Sequence, residues 1–333
     1  MAHDITNAAY SNTPAWHGLG TTLPRNMEPQ EAFRIAGLDW TVEKTPLFVS
    51  TITEDGVGFD AVSESNQALR RTDNHTVLSI VSDRYEPFQN SSLLDLAVSF
   101  QAADGSAYCE SALELSGGRD VVLLLKLREW AIGDDRSTDY LTLWNSHDGS
   151  KALSVYPTSV RVVCRNTLQW SDGRDGERGF RFRHSAGIHA QVDEVTAALS
   201  RSRATSESWE DVARRLAGAP LTAEGAGSLL KRYALMRHPE PSAAGLTAKQ
   251  ADKILIAHQR RVATTIAQVS AVFRSPTCST DATNDTLYGV VNACTEHLDQ
   301  SGSRDAVRSR VDGVSLNAGR KRDLFAAALE LVS

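Results

Sequence analysis

From Tyr108 to Leu127 the chain reads YCESALELSGGRDVVLLLKL, and this passage restricts its possible folds more than any other. Cys109, Ser111, Leu113 and Leu115 alternate with Tyr108, Glu110, Ala112 and Glu114, the two-residue period of a strand. Gly117 and Gly118 then supply the positive φ of a tight reversal, and VVLLLKL returns as a second strand. A reversal this short joins antiparallel neighbours.

Similar runs surround the hairpin. WTVEKTPLFVSTI, GVGFDAV, QALRR and TVLSIVS read as successive strands separated by turn-formers, and YLTLWNS as a further one. Glu28–Ala36 reads as a short helix with Pro29 in its first turn and Gly37 at its end. Ser91–Ala103 reads as another, with Leu93, Leu94, Ala97, Val98 and Phe100 near helical spacing. After His184 the period is helical over Gly187–Ser202, Ser208–Leu216, Ala223–Met236, Ala248–Arg274, Asp285–Gln300 and Lys321–Leu331. The expected class is α+β: a strand-rich antiparallel domain over residues 1–185, then a mostly helical one over 186–333. A length of 333 residues suits two cores better than one.

The longest apolar run, Val121–Leu125, is far too short to span a bilayer. The N-terminal MAHDITNAAYSNTPAWHG lacks the basic flank and apolar core of a signal peptide, so a cytoplasmic location and no membrane partner are expected. Cys109, Cys164, Cys278 and Cys294 are far apart and form no CxxC, which predicts buried free thiols. Net charge is −6, but residues 1–160 hold 11 Lys and Arg against 22 Asp and Glu, and the remainder 24 against 19. A polyanion would be drawn to the second half and repelled by the first.

One segment concentrates arginine. Read as a single strand, Val155–Gln169 puts Thr158, Val160, Val162, Cys164, Asn166 and Leu168 on one face, and Arg161 and Arg165 on the other. GRDGERGFRFRH then adds Arg174, Arg178, Arg181 and Arg183, with Phe180 and Phe182 interleaved. Guanidinium groups pair with phosphate and aromatic rings stack under bases, so this pattern suits a single-strand binder. On the residues alone it better suits a solvated strand whose two phenylalanines point inward, since arginine-rich surface strands are common. Cys164, His147 and Asn145 or Asn166 supply the residue types of a cysteine nucleophile, yet an inward Cys164 in an apolar strand argues against a reactive thiolate. No HExxH, GxGxxG or P-loop is present, and the His184/His189 pair lacks partners at metal-ligand spacing, so no cofactor or metal is expected.

Two helices carry distinct faces. In Ala248–Phe273, Ile254, His258, Val262, Ile266, Val269 and Phe273 share one side, and Lys249, Lys253 and Arg260 lie nearly opposite with Arg261 nearby. The basic ridge either follows a phosphate backbone or is simply solvated, and His258 reads as a hydrogen-bonded core histidine. In TLYGVVNACTEHLDQ, Leu287, Val290, Val291, Cys294 and Leu298 form the buried side. Asn292, Thr295, Glu296 and Asp299 form a polar stripe that periodicity assigns to solvent.

Five segments, PAWHGLGTTLP (Trp16, His17, Gly18), SDRYEPFQN (Arg84, Tyr85, Gln89, Asn90), WNSHDGS (Asn145, His147, Asp148), TSVRVVCRNTL (Arg161, Cys164, Asn166) and NACTEHLD (Asn292, Glu296), occur in order between residues 14 and 299. Through them the sequence resembles the phage- and plasmid-encoded proteins grouped as domain-of-unknown-function family 932. The resemblance implies a mobile-element origin rather than a reaction. Phages and plasmids encode small proteins that coat and anneal single-stranded DNA by joining a strand-rich core to helices and assembling as oligomers, an analogy at the level of fold.

The leading expectation is therefore a single-stranded DNA-binding and annealing protein without catalytic chemistry, forming homo-oligomers. Arg161, Arg165, Arg181, Arg183, Lys249, Lys253 and Arg260 would meet phosphates, Phe180 or Phe182 would meet bases, and the NSHDGS turn would position the basic strand. Two other readings stand beside it: a module that binds a host or defence protein, and a metal-dependent hydrolase or nuclease centred on His17, His147, Asp148 and Glu296. The last requires those residues to converge.

Overall fold

The structure, a computed structural model, describes residues 5–12, 20–53, 56–62, 65–161, 166–169, 180–185, 187–188, 209–242, 244–245, 247–281, 283–300 and 316–332. In chain order the elements begin with β1 (Ile5–Ser11), β2 (Thr21–Leu23), α1 (Pro29–Ile35), β3 (Val42–Pro46) and β4 (Phe48–Thr53). They continue with β5 (Gly56–Ala61), β6 (Asn66–Arg71), β7 (Val77–Ser82), α2 (Asn90–Asp104) and β8 (Tyr108–Leu115). Long strands follow: β9 (Asp120–Ile132), β10 (Asp135–Ser146) and β11 (Leu153–Arg161), then short β12 (Asn166–Gln169) and β13 (Phe180–Phe182). The helical part contains α3 (209–218), α4 (Ala223–Arg237), α5 (Ala248–Phe273), α6 (Leu287–Gln300) and α7 (Leu316–Glu330). A strand-rich, antiparallel first half followed by helices is an α+β fold, as the sequence patterns predict. The expected helix over Gly187–Ser202 lies outside the described residues except at its first two positions.

The largest sheet runs β12-β11-β10-β9-β8-β1-β2, with β13 also paired to β11. The predicted hairpin is at its centre: β8 and β9 pair from Leu115↔Asp120 to Tyr108↔Lys126 around a turn at Ser116–Gly118. Gly117 (φ 70) and Gly118 (φ 94) have the positive φ the reversal needs. A Cβ on Gly118 would stand 2.8 Å from Arg71 Nη1 and 3.1 Å from the Trp40 ring, so the turn is pressed against these two side chains. β1 is antiparallel to β8 but parallel to β2. ITNAAYS was not legible as a strand because its buried residues, Ile5 and Ala8–Ser11, do not alternate.

Two expected strands are corrected. WTVEKTPLFVSTI is not one strand: β3 pairs with β6 in a three-stranded sheet β3-β6-β7, and β4 pairs only with β5. The break falls at Pro46, which has no N–H to continue a ladder. Val155–Gln169 is also two strands, since β11 and β12 pair antiparallel from Arg161↔Asn166 to Thr158↔Gln169. Arg161 closes β11 opposite Asn166, which opens β12, so the segment is not one continuous alternation.

Two compact units interleave along the chain. One contains Met1–Arg128, Asp139–Pro157 and Gly173–Ala204; the other contains Glu129–Thr138, Thr158–Asp172 and Thr205–Ser333. In the strand-rich unit, Phe33, Leu38, Trp40, Leu69, Phe88, Leu93, Phe100, Leu123, Leu141 and Leu153 bury α1 and α2 against strand faces. In the helical unit, Trp209, Leu216, Leu229, Tyr233, Val269, Val291 and Phe325 build a second core. There every residue of α6 from Leu287 to Leu298 is buried. Asn292, Thr295 and Glu296 are thus inside, which corrects the expected solvent stripe: α4, α5, α7 and β12 all lie against α6, leaving it no wet side. No described helix is long and apolar enough to cross a membrane.

Candidate functional site

Four of the five motif segments fall in two places, one in each unit; the core of PAWHGLGTTLP lies outside the described residues. In the strand-rich unit SDRYEPFQN leads into α2 and WNSHDGS ends β10, and the two interlock. Asn90, at the start of α2, donates its amide N–H groups to the carbonyls of Leu38 (3.1 Å) and Trp40 (3.2 Å). Its Oδ1 is 2.8 Å from His147 Nε2, which makes that nitrogen the imidazole donor. Asn145 donates to Phe88 O (2.7 Å), Tyr85 OH to Ser146 O (3.1 Å) and Ser79 Oγ to His147 O (3.0 Å). Gln89 exchanges two 3.0 Å bonds with the backbone of Val42.

A buried ion pair adjoins this network. Arg71 and Glu114 meet at 2.8 Å, Trp40 Nε1 donates to the same carboxylate at 3.1 Å, and the guanidinium lies 4.0 Å over the Trp40 ring. Trp40 in turn is tilted on His147 with ring centres 5.2 Å apart, while His184 stacks on Tyr85 at 4.9 Å. Trp40 and Arg71 were not picked out from the sequence, and His184 was weighed only as a metal ligand; alternation with Leu113 and Leu115 places Glu114 on the opposite face, yet it is fully buried. Asp148 stands at the turn, accepting from Ser146 Oγ (2.7 Å) and Ser150 N (2.8 Å), and Gly149 has φ 73. The motif is therefore only partly the expected turn, because Asn145 and His147 are fully buried.

Burial, then the neighbouring His184 and the cationic Arg71, hold His147 down to about pKa 3; burial also lowers His184 to about 4. Neither serves as a proton donor near neutrality. His147 Nδ1 and Asn145 Oδ1 have no hydrogen-bond partner among the described residues. The arrangement is a neutral brace joining the start of α2 to the end of β10. It carries a pH prediction. Above pH 6.5 the imidazoles are neutral folded and unfolded alike. Below it the unfolded chain takes protons that the folded one refuses, so stability falls with pH until about 4 for His184 and about 3 for His147. Each histidine should cost about 1.4 kcal/mol per pH unit in that window. Urea unfolding at stepped pH should show this slope, and His147→Gln should remove part of it.

In the helical unit β12, from the TSVRVVCRNTL segment, lies against α6, from NACTEHLD. Asn166 is in β12, and Asn292 and Glu296 are in α6. Glu296 accepts from Thr277 Oγ1 at 2.6 Å, and His297 Nδ1 is 2.7 Å from Tyr233 OH. Asn292 is fully buried, and neither amide atom is hydrogen-bonded among the described residues. Thr277 had no sequence signal.

The residues expected to meet nucleic acid are placed as follows. Arg181 on β13 and Arg183 just after it are exposed, Phe182 is in the core opposite Leu153, and Phe180 is half-buried and packed against that core. The segment turns its rings inward and its arginines outward, so Phe182 has no face for a base. Arg161 ends β11; Arg165 lies outside the described residues, as do Cys164, Trp16, His17 and Gly18. Lys249, Lys253 and Arg260 are exposed on α5, as is Arg84 before α2. His258 is buried and 2.9 Å from His238 O, the core histidine its position predicts. His147 and Asp148 belong to one unit and Glu296 to the other, and no group of three potential metal ligands occurs among the described residues.

A family model described as "Domain of unknown function (DUF932)" matches residues 77–323. No curated protein and no solved structure matches the chain.

Proposed function

We propose, for a chain that belongs to the DUF932 family, a phage-type role in binding and annealing single-stranded DNA without covalent chemistry. The observation that supports this reading best is the outer face of α5. Lys249, Lys253, Arg260 and Arg261 are exposed there, and none has a carboxylate partner among the described residues. Lys249 to Arg260 covers roughly 16 Å of helix axis, a length that follows several phosphates of a strand. Arg181 on β13 and Arg183 just after it are further exposed cations. Guanidinium planes also stack on bases, which leaves base contact to arginine and to Phe180. The acidic first 160 residues would confine a strand to one side.

Fluorescence anisotropy of the full chain with labelled single-stranded and duplex oligonucleotides, across a salt series, tests the proposal. Single strands should bind more tightly, and the logarithm of affinity should fall linearly with that of salt, by about 0.7 per phosphate neutralised. The triple variant Lys249→Ala/Lys253→Ala/Arg260→Ala should reduce that slope by about two and weaken binding at least tenfold. No binding at low salt, or wild-type affinity in the triple variant, overturns the proposal.

A further inference from the structure

The β4–β5 hairpin stands apart from both larger sheets: its two strands pair only with each other. Its register is Phe48↔Ala61, Ser50↔Phe59 and Ile52↔Val57 on one face, alternating with Val49↔Asp60 and Thr51↔Gly58 on the other. The first face has no charge. Phe48 is 59% exposed, Ile52 91%, Val57 63% and Phe59 71%. The second face is the more polar one, with Val49 beside Asp60 and Thr51 Oγ1 donating to Asp60 at 3.1 Å. An isolated two-stranded hairpin is marginal in water, and an uncharged apolar face on one makes it more so.

We infer that two copies of this chain pair through the apolar faces of their β4–β5 hairpins. Three observations favour a second copy as the occupant. No like charges oppose each other when the face meets itself. At roughly 150–250 Å² for a phenylalanine, the exposed side chains present on the order of 500 Å², and two faces together reach the lower bound of a specific interface, about 1,000 Å². The relief is also self-complementary: each phenylalanine stands beside a small partner, Ala61 or Ser50, so every such rung has one projection and one gap. A two-fold axis seats the rings of each copy in the gaps of the other, giving a small sandwich with its sheets about 10 Å apart. Nothing in this depends on nucleic-acid binding.

Sedimentation velocity of the full chain over a wide micromolar range is the test. The wild type should show at least twice the mass of the chain. Ile52→Lys/Phe59→Lys should at least halve the observed mass, while Thr51→Lys on the polar face should leave it unchanged. Both altered side chains are largely in solvent, so circular dichroism should match the wild type. Independently of any variant, amide exchange over residues 48–61 should slow as the wild type is concentrated. A wild type of single-chain mass throughout, an unchanged mass in the lysine double variant, or hairpin exchange that slows only on adding single-stranded DNA overturns the inference.

Discussion

Glu114→Ala is expected to lower stability by about 3–5 kcal/mol, the cost of removing one member of a buried charge pair. Glu114 is fully buried, and its two oxygens accept from Arg71 Nη1 (2.8 Å), Trp40 Nε1 (3.1 Å) and Asn7 Nδ2 (3.3 Å). These donors come from β6, from the residues before β3 and from β1, so one carboxylate ties the large sheet to the three-stranded one. Alanine strands a nearly buried guanidinium whose one remaining carboxylate partner among the described residues is Asp73, at 2.7 Å, and leaves the indole N–H dry. Glu114→Gln keeps the volume and one acceptor but turns an amide N–H toward a donor, so its loss should be smaller. Urea midpoints for the two variants at pH 7 check the order. Equal stability in wild type and Glu114→Ala would mean that the ion pair contributes nothing.

Gly289→Ala should be the second severe change, although alanine ordinarily favours a helix over glycine by about 1 kcal/mol. Gly289 lies in the first turn of α6, where an added Cβ would meet Thr283 O at 2.1 Å and Phe273 Cε2 at 2.9 Å. The Thr283 carbonyl has no room to yield. It accepts from Thr286 Oγ1 at 3.0 Å, and Thr283 Oγ1 is itself bonded to Cys278 O. A loss of about 3 kcal/mol, the upper end of overpacking, is expected. Gly227→Ala is the control: this exposed position in α4 has nothing within 4 Å of the added atom, so a gain of about 0.5–1 kcal/mol should follow. Thermal midpoints moving in opposite directions for the two glycines are the signature.

Much of the fold was legible. The β8–β9 hairpin follows from alternation and two glycines, and α5 from a stripe that sends His258 inward and Lys249, Lys253 and Arg260 outward. The segments later found interlocked were visible as motifs, but their roles were not. Asn90 and His147 are far apart in sequence, as are Arg71 and Glu114, and no local period announces that such groups satisfy one another. NACTEHLD misled for a related reason. Helical periodicity reports which residues differ from the apolar side, and it assigns the other side to water only when the helix has a wet side.

The sequence by itself determined the antiparallel sheet, the change from strands to helices, and the outward cations of α5. These rest on local steric and periodic preferences acting over one or two turns of chain. Only the tertiary structure decided that Asn145, His147, Asn292 and Glu296 are inside, that Phe182 turns its ring to the core, and that the β4–β5 face is left bare. Burial is a property of what packs alongside, and a polar side chain enters a core when distant partners replace its water.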